Sequence, residues 1–388
     1  MITTPLRRLG DTARWLTTPL LPEDYLSLLN PLWSTAELRG RIEAIRHEAP
    51  GAATIVIRPG RDWPGHRPGQ WVKIGIDLDG VRHWRTFSLS SPPREDGLLT
   101  ITVKATEDGT VSRHLVHRAR PRTIVRLSEP EGDFVLPDRL PDRILFITAG
   151  SGITPVMAML RALAKNLPAS SADPRQLNGQ PKPDRRGDAD QGAGAAQAAG
   201  SGRLDIVIVH SARTPGEVIF GDELRALARR VPGVRLYERH TAEDGRFKPA
   251  ELAEICPDWA ERDTWACGPG DLLDDLDEHW QAAGADERLR MERFRPVLAV
   301  TDGEGGRVTF SKSGVEAEAD GATPLLVAGE AAGALLPSGC RMGICYSCVG
   351  RLCSGKVRDL RTGEVHGEEG QLIQTCISAA AGPVDIEL

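Results

Sequence analysis

The sequence predicts a multidomain fold in three parts: an antiparallel β-barrel, an α/β domain on a parallel sheet, and a cysteine-bearing C-terminal domain. Three observations carry that expectation. Residues 37–136 hold short strand-like runs at regular intervals, residues 203–280 alternate strand-like with helix-like runs, and four cysteines stand at Cys340, Cys345, Cys348 and Cys376. At 388 residues there is room for two or three domains, each with its own core.

The barrel is read from ELRGRIEAIRHE, AATIVIRP, GQWVKIGIDL, VRHWRTFSLS, LLTITVKA and TIVRLSEP. These runs favour strands, and turn residues separate them. Arg85-Thr86-Phe87-Ser88 lies in the fourth run, and Gly109-Thr110-Val111-Ser112 precedes the helix-like RHLVHRA. Thr110 and Ser112 are also good helix N-caps, which is the plainer reading of that stretch.

The α/β domain begins with Arg143 to Gly150 (RILFITAG), followed by Ser151-Gly152-Ile153-Thr154-Pro155. A strand runs into a glycine turn, and Pro155 opens a helix where its missing N–H costs nothing. Such a junction gathers backbone donors and a helix dipole at one point, suited to a pyrophosphate. Tight turns need glycine for geometry alone, so the motif is weak by itself. RLDIVIVH and RDTWA read as further buried parallel strands, with helices over 221–230 and 270–281. A second junction, Cys267-Gly268-Pro269-Gly270, again has proline at the helix start. Gly268 would let a flat ring approach the backbone, with Cys267 beside it or simply buried. Ser211 and Arg213, after the second strand, suit a 2′-phosphate by hydrogen bond and charge, or form an ordinary solvated loop.

The C-terminal cysteines follow the spacing C-x4-C-x2-C with a fourth far downstream, that of a plant-type [2Fe-2S] site. Soft thiolates suit iron and sulfide. Gly339 and Gly343 allow backbone N–H groups to turn toward the sulfurs. Structural zinc is the alternative, but zinc sites usually pair two short knuckles, and here only Cys345 and Cys348 make one. Cys353 is off this pattern and reads as a small buried thiol.

Seven cysteines, four of them in the cluster motif, suggest no disulfide framework. There is no N-terminal signal pattern and no apolar run of about 18 residues, so a soluble, cytoplasmic protein without a transmembrane segment is expected. The net charge is −6, and no nucleic-acid partner is expected. Lys and Arg outnumber Asp and Glu 20 to 17 over residues 1–140, whereas residues 296–388 have 7 against 12. An acidic C-terminal surface would steer toward a basic acceptor, although such domains are also acidic for solubility alone. Residues 168–202 hold almost no large apolar side chains, which predicts a disordered insertion. The apolar segment Trp15 to Trp33 is expected to pack on the barrel, the alternative being a membrane or partner surface.

Taken together these motifs resemble the ferredoxin–NADP⁺ reductase superfamily, in the domain order of phthalate dioxygenase reductase and its relatives. The resemblance implies an N-terminal extension over 1–36, a flavin barrel over 37–140, a nicotinamide domain over 141–292 and a β-grasp (α+β) ferredoxin domain over 293–388. By that likeness Arg85 binds the flavin phosphate, Thr86 and Phe87 line the flavin, Ser88 approaches its N5, and Gly109 to Ser112 supply a second phosphate contact. Phe87 stands where the family usually has tyrosine, so a hydroxyl hydrogen bond is lost there. Gly150, Ser151, Gly152 and Thr154 hold the pyrophosphate, and Cys267, Gly268 and Pro269 frame the nicotinamide. Glu292-Arg293-Phe294 resembles a position returning toward the flavin, with linker packing as the alternative for Phe294.

The resemblance further implies FAD, with FMN as the alternative, and NADPH or NADH, Ser211 and Arg213 favouring NADPH. The flavin converts a hydride into single electrons for the cluster. Ser88 and Cys267 are expected to position the reactants without transferring protons. The implied function is a reductase feeding an oxygenase, hydroxylase or desaturase. The N-terminal segment resembles that of actinobacterial-type desaturase reductases, which points to a membrane-bound acceptor with this chain peripheral to the membrane. Direct reduction of a small acceptor such as a quinone, or a redox-sensing iron–sulfur module, are the competing readings.

Overall fold

The computed structural model describes residues 29–34, 36–78, 80–106, 109–166, 204–294, 302–339, 341–343 and 346–388. The insertion expected over 168–202, most of the N-terminal extension, and the expected ligands Cys340 and Cys345 lie outside the described residues.

Six strands form the first sheet: β1 (Arg39–Ala49), β2 (Ala52–Pro59), β3 (Trp71–Leu78), β4 (Val81–Ser88), β5 (Leu99–Lys104) and β6 (Ile124–Leu127). Their order is β4-β3-β6-β1-β2-β5, with every pairing antiparallel. An antiparallel bridge between Leu89 and Ile101 joins the two outer strands and closes the barrel. Period-two alternation sends Ile42, Ile55, Ile57, Val72 and Ile74 to its interior. Helix α1 (Thr110–His117) caps it with Val111 and Leu115, one helical turn apart. Its N-cap is Gly109, with no side-chain cap, so Thr110 is the first helical residue; the Ser112 hydroxyl donates to Gly109 O at 3.3 Å. Thr110 and Ser112 are thus not N-caps. Further upstream, a short 3-10 turn over Pro31–Trp33 buries Leu32, and Arg61 N donates to Leu32 O at 3.3 Å, so this piece of the apolar leader does pack on the barrel.

The second sheet is wholly parallel: β7 (Arg143–Ala149), β8 (Asp205–Ala212), β9 (Val234–His240), β10 (Asp263–Gly268) and β11 (Leu289–Arg293), ordered β11-β10-β7-β8-β9. Strands covered on both faces need continuous apolar runs, and those of β7 and β8 supply them. Phe146 and Ile208 face α2 (Ile153–Asn166) and α3 (Gly221–Arg230). Leu145, Ile147, Val207 and Val209 face α5 (Leu252–Ile255) and α6 (Gly270–Ala282) through Leu252, Leu273, Leu276 and Trp280, while the short α4 (Thr241–Asp244) follows β9 and buries no residue. Strand order reverses between β7 and β10, so both glycine turns open at one crevice at their carboxyl ends. The guanidinium of Arg262, 1% exposed, holds the opposite end through Asp205 at 2.5 Å and Asp258 at 2.9 Å.

The third sheet comprises β12 (Gly306–Phe310), β13 (Val315–Ala319), β14 (Val349–Asp359), β15 (Val365–His366) and β17 (Ser378–Glu387), with β16 (Leu372–Gln374) paired to β14. The β12–β17 pairing is parallel and the others antiparallel. Helix α7 (Leu325–Ala331) packs Leu325 and Leu326 against Phe310, Leu352 and Ile386, giving the expected α+β domain.

The barrel sits directly on the parallel domain. Phe134 and Ala52 share a core with α2, Trp265 Nε1 donates to Val135 O at 3.2 Å, and Arg161 Nη1 donates to Ser90 O at 2.5 Å. Among the described residues no helix is long and apolar enough to cross a membrane.

Candidate functional site

Between barrel and parallel sheet lies a cleft of about 620 Å³. Arg85, Thr86, Phe87 and Ser88 of β4 form one wall, Lys104, Gly109 and Ser112 the second, and β11 with Phe294 the third. Strand β4 puts this motif at the interface because its end pairs with β3 while Ser88 turns toward β11. The Ser88 hydroxyl, only 6% exposed, donates to Glu292 Oε2 at 3.4 Å. Burial pushes the Glu292 carboxyl up to about 8, the bond from Ser88 opposing the shift.

Two features fit a flavin here. Thr86 Oγ1 is buried and has no hydrogen-bond partner among the described residues, an orphan acceptor and donor in the cleft wall. Gly132 lines the cleft at φ +107°, and a Cβ there would press on the Trp71 indole at 2.8 Å. That flat surface suits a ring.

A second cleft, of about 960 Å³, opens at the carboxyl ends of β7, β8 and β10. Gly150, Ser151, Gly152, Ser211, Arg213, Gly268 and Pro269 line it together, although they span more than a hundred residues of sequence. Gly150 takes φ +54°, and a Cβ on Gly152 would lie 2.1 Å from Cys267 O, so the two turns interlock only with glycine present. The Thr154 hydroxyl donates to Ser151 O at 2.9 Å, fixing the turn at the start of α2. Three cations of this cleft are paired: Lys104 with Glu217 at 3.5 Å, Arg293 with Asp274 at 2.8 Å, and Arg246 with Asp271. Among the described residues, Arg213 and Lys248 of the same cleft have no ion pair, so their charge is available to an anion. Lys104, Ser151, Arg293 and Phe294 line both clefts, which makes them continuous.

Cys348 and Cys376 are both buried in the third domain. Thr375 brings them together, its hydroxyl donating to Cys348 O at 2.8 Å and its N–H to the same oxygen at 3.2 Å. Buried thiols on segments tied in this way fit a soft iron–sulfur group.

Three of the expected residues stand apart from the cleft linings. Val111 is fully buried in the barrel core and Thr110 lies outside the cleft lining, because α1 turns its apolar stripe inward and only its first turn meets the cleft. Cys267 opens on neither cleft: its side chain is in the core beside α2, and burial holds the thiol well above its ordinary range. Its backbone is the part that contacts Gly152. The cleft also gathers side chains absent from the predicted set, Arg290, Glu292 and Met342. Glu292 was within the quoted Glu-Arg-Phe stretch, whereas the other two carried no local signal.

Two family descriptions match: the 2Fe-2S iron-sulfur cluster binding domain over residues 308–381 and the oxidoreductase FAD-binding domain over 62–136. Among curated proteins, an NADPH oxidoreductase of Mycobacterium tuberculosis is 47% identical over 384 residues, covering 98% of this chain and 92% of that one. A stachydrine N-demethylase reductase subunit of Rhizobium meliloti is 29% identical, covering 92% of this chain and 97% of that one. Phthalate dioxygenase reductase has a similar solved fold, with a TM-score of 0.57 at 21% identity over 91% of this chain and 98% of that one.

Proposed function

Because the chain belongs to the ferredoxin–NADP⁺ reductase superfamily, as an NAD(P)H-dependent FAD and [2Fe-2S] oxidoreductase, we propose that NADPH is its donor and a membrane-bound di-iron desaturase or hydroxylase its acceptor. Bound between the two halves, the flavin supplies the conversion of one hydride into two single-electron transfers. The rest is positioning.

The observation that carries the reading is the continuity of the two clefts at Ser151 and Phe294. A nicotinamide held from the second cleft would enter the flavin cleft where Lys104, Ser151, Arg293 and Phe294 line both, Phe294 being 36% exposed there. Ser88 and Glu292 orient the reacting edge, Gly150 to Gly152 take the pyrophosphate at the start of α2, and Ser211, Arg213 and Lys248 take the 2′-phosphate. Cys348 and Cys376, with Cys340 and Cys345, hold the cluster. We assign the flavin unit to 37–140, the nucleotide unit to 141–292 and the ferredoxin unit to 293–388. Support for an oxygen-activating acceptor comes from relatives that are reductase subunits of demethylase and monooxygenase systems. The membrane-bound class rests on the resemblance of the N-terminal segment to that of actinobacterial-type desaturase reductases alone.

Anaerobic mixing with NADPH or NADH, followed by absorbance, tests the relay and the donor. Flavin bleaching is expected first, then loss of the iron–sulfur band, faster with NADPH. Arg213→Ala should lower the NADPH rate constant by about tenfold and leave the NADH value unchanged. Equal wild-type rates would remove the NADPH assignment, and no bleaching by either nucleotide would remove the relay.

A further inference from the structure

We propose that Met342 closes the flavin cleft on the side of the iron–sulfur loop and sets the gap that electrons cross between the two centres. This rests on the relay reading above. Met342 comes from the third domain, yet it lines the same cleft as Phe87, Ser88 and Glu292. In sequence it stands two residues after Cys340 and three before Cys345. A single side chain therefore belongs both to the cysteine loop and to the wall of the flavin cleft.

The loop is pinned on either side of it. Arg85 Nη1 donates to Ser338 Oγ and Gly339 O, both at 3.3 Å, as well as to Trp84 O at 2.7 Å, which ties the loop to β4 of the barrel. Arg341 grips both carboxylate oxygens of Glu330 on α7, at 2.5 and 2.7 Å. Gln374 Nε2 donates to Gly343 O at 2.9 Å. Backbone geometry points the same way. Arg341 has φ +59° and Gly343 φ +72°, so Met342 is presented between two left-handed residues. For arginine that conformation is costly and persists only where surrounding contacts enforce it, here the grip on Glu330.

Methionine suits the place. Its thioether is polarisable and adapts to irregular surfaces, and an apolar wall keeps water and oxygen from the flavin edge. Each NADPH delivers two electrons and one proton as a hydride; the cluster would hold one electron at a time, so two transfers past Met342, with the protein acceptor reoxidising the cluster after each and the proton released to solvent, would clear each hydride. Arg85, expected on the flavin phosphate, also holds the loop that carries Met342, so one guanidinium serves both sides of this gap.

The test uses full-length protein carrying both cofactors, with Met342→Ala and the volume-conserving Met342→Leu. Iodide quenching of bound-flavin fluorescence reports the wall, and the anaerobic flavin-to-cluster phase reports the gap. In Met342→Ala, quenching should rise about threefold and the flavin-to-cluster phase should slow by about tenfold, given how steeply rates respond to ångström-scale misplacement. Met342→Leu should restore both, which a general loss of stability would not do. The proposal requires both changes, and either one staying at the wild-type value overturns it. Should Met342→Ala fail to retain its cluster, Met342→Val replaces it in both measurements. The quenching result stands whether or not NADPH bleaches the wild-type flavin, so failure of the relay and failure of the Met342 assignment are read separately.

Discussion

Glu292 is a partly buried carboxyl in the cleft wall, with one hydroxyl, that of Ser88, donating to it. Its pKa rises from 4.5 in the unfolded chain to about 8 in the folded one. The sign follows: the folded state holds the proton more tightly, so this group's contribution is fully present below pH 4.5 and is lost as pH rises toward about 8. His210 acts on the opposite limb. Fully buried on β8, with Nδ1 2.8 Å from the Thr148 hydroxyl, it is pushed down from 6.5 to about 4 by burial, so stability is lost as pH falls through that window. Thermal melts of the cofactor-loaded protein should therefore show Tm falling between pH about 6 and 8.5, and falling less in Glu292→Gln, where no charge develops. Parallel Tm–pH curves for the two proteins would show that Glu292 ionises freely in the folded state. At the same scale, Arg213→Ala separates NADPH from NADH, since only the former has a phosphate for the guanidinium to meet.

At the scale of elements, the junction of β7 with α2 depends on Gly152. A methyl group there would sit 2.1 Å from Cys267 O and 2.5 Å from its carbonyl carbon, both backbone atoms that cannot swing aside. Gly152→Ala should cost about 1–3 kcal/mol as the two turns separate. The KM for NADPH should rise with it, and an unchanged Tm and KM would mean that the turns are not coupled. This junction was legible in the sequence because its determinants are local: a buried strand, a glycine turn, then proline near a helix start. The six barrel strands and the α2, α3 and α6 helices were legible for the same reason, through periodicity and punctuation. The burial of Val111 is legible too, since Val111 and Leu115 stand one helical turn apart and mark an inward stripe. Arg290, Glu292 and Met342 were another matter. They meet β4 only when β11 and the cysteine loop fold back across some two hundred residues, and no window of sequence encodes that meeting. Of the two readings of Cys267, the structure shows the buried one for its side chain: β10 alternation turns the thiol into the core while its backbone stays at the glycine turn.

For the molecule as a whole, the division of labour between hydride chemistry and single-electron transfer is also a division between folding units. Among the described residues, the flavin and nucleotide clefts are lined by the barrel, the parallel sheet and Phe294 at the exit from β11, with Met342 the one lining residue from the cysteine loop. Cys376 lies within a separate core with Leu326, Leu352 and Ile373. Cys376→Ser should thus abolish the iron–sulfur absorbance and leave FAD bound. Reduction of ferricyanide by NADPH, which draws electrons from the flavin, should stay within about twofold of wild type, because the groups that orient the hydride are untouched. Reduction of an oxygenase-type partner or of cytochrome c should be lost, since only the cluster delivers to a docked protein. Metal binding is also folding energy, so the third domain of the variant should melt in a separate transition at lower temperature while the barrel and parallel sheet keep theirs. Parallel loss of flavin, ferricyanide reduction and both transitions would show instead that the three units fold as one, and that the contacts of Arg85 and Met342 bind the cysteine loop into the flavin site more tightly than a docked domain requires.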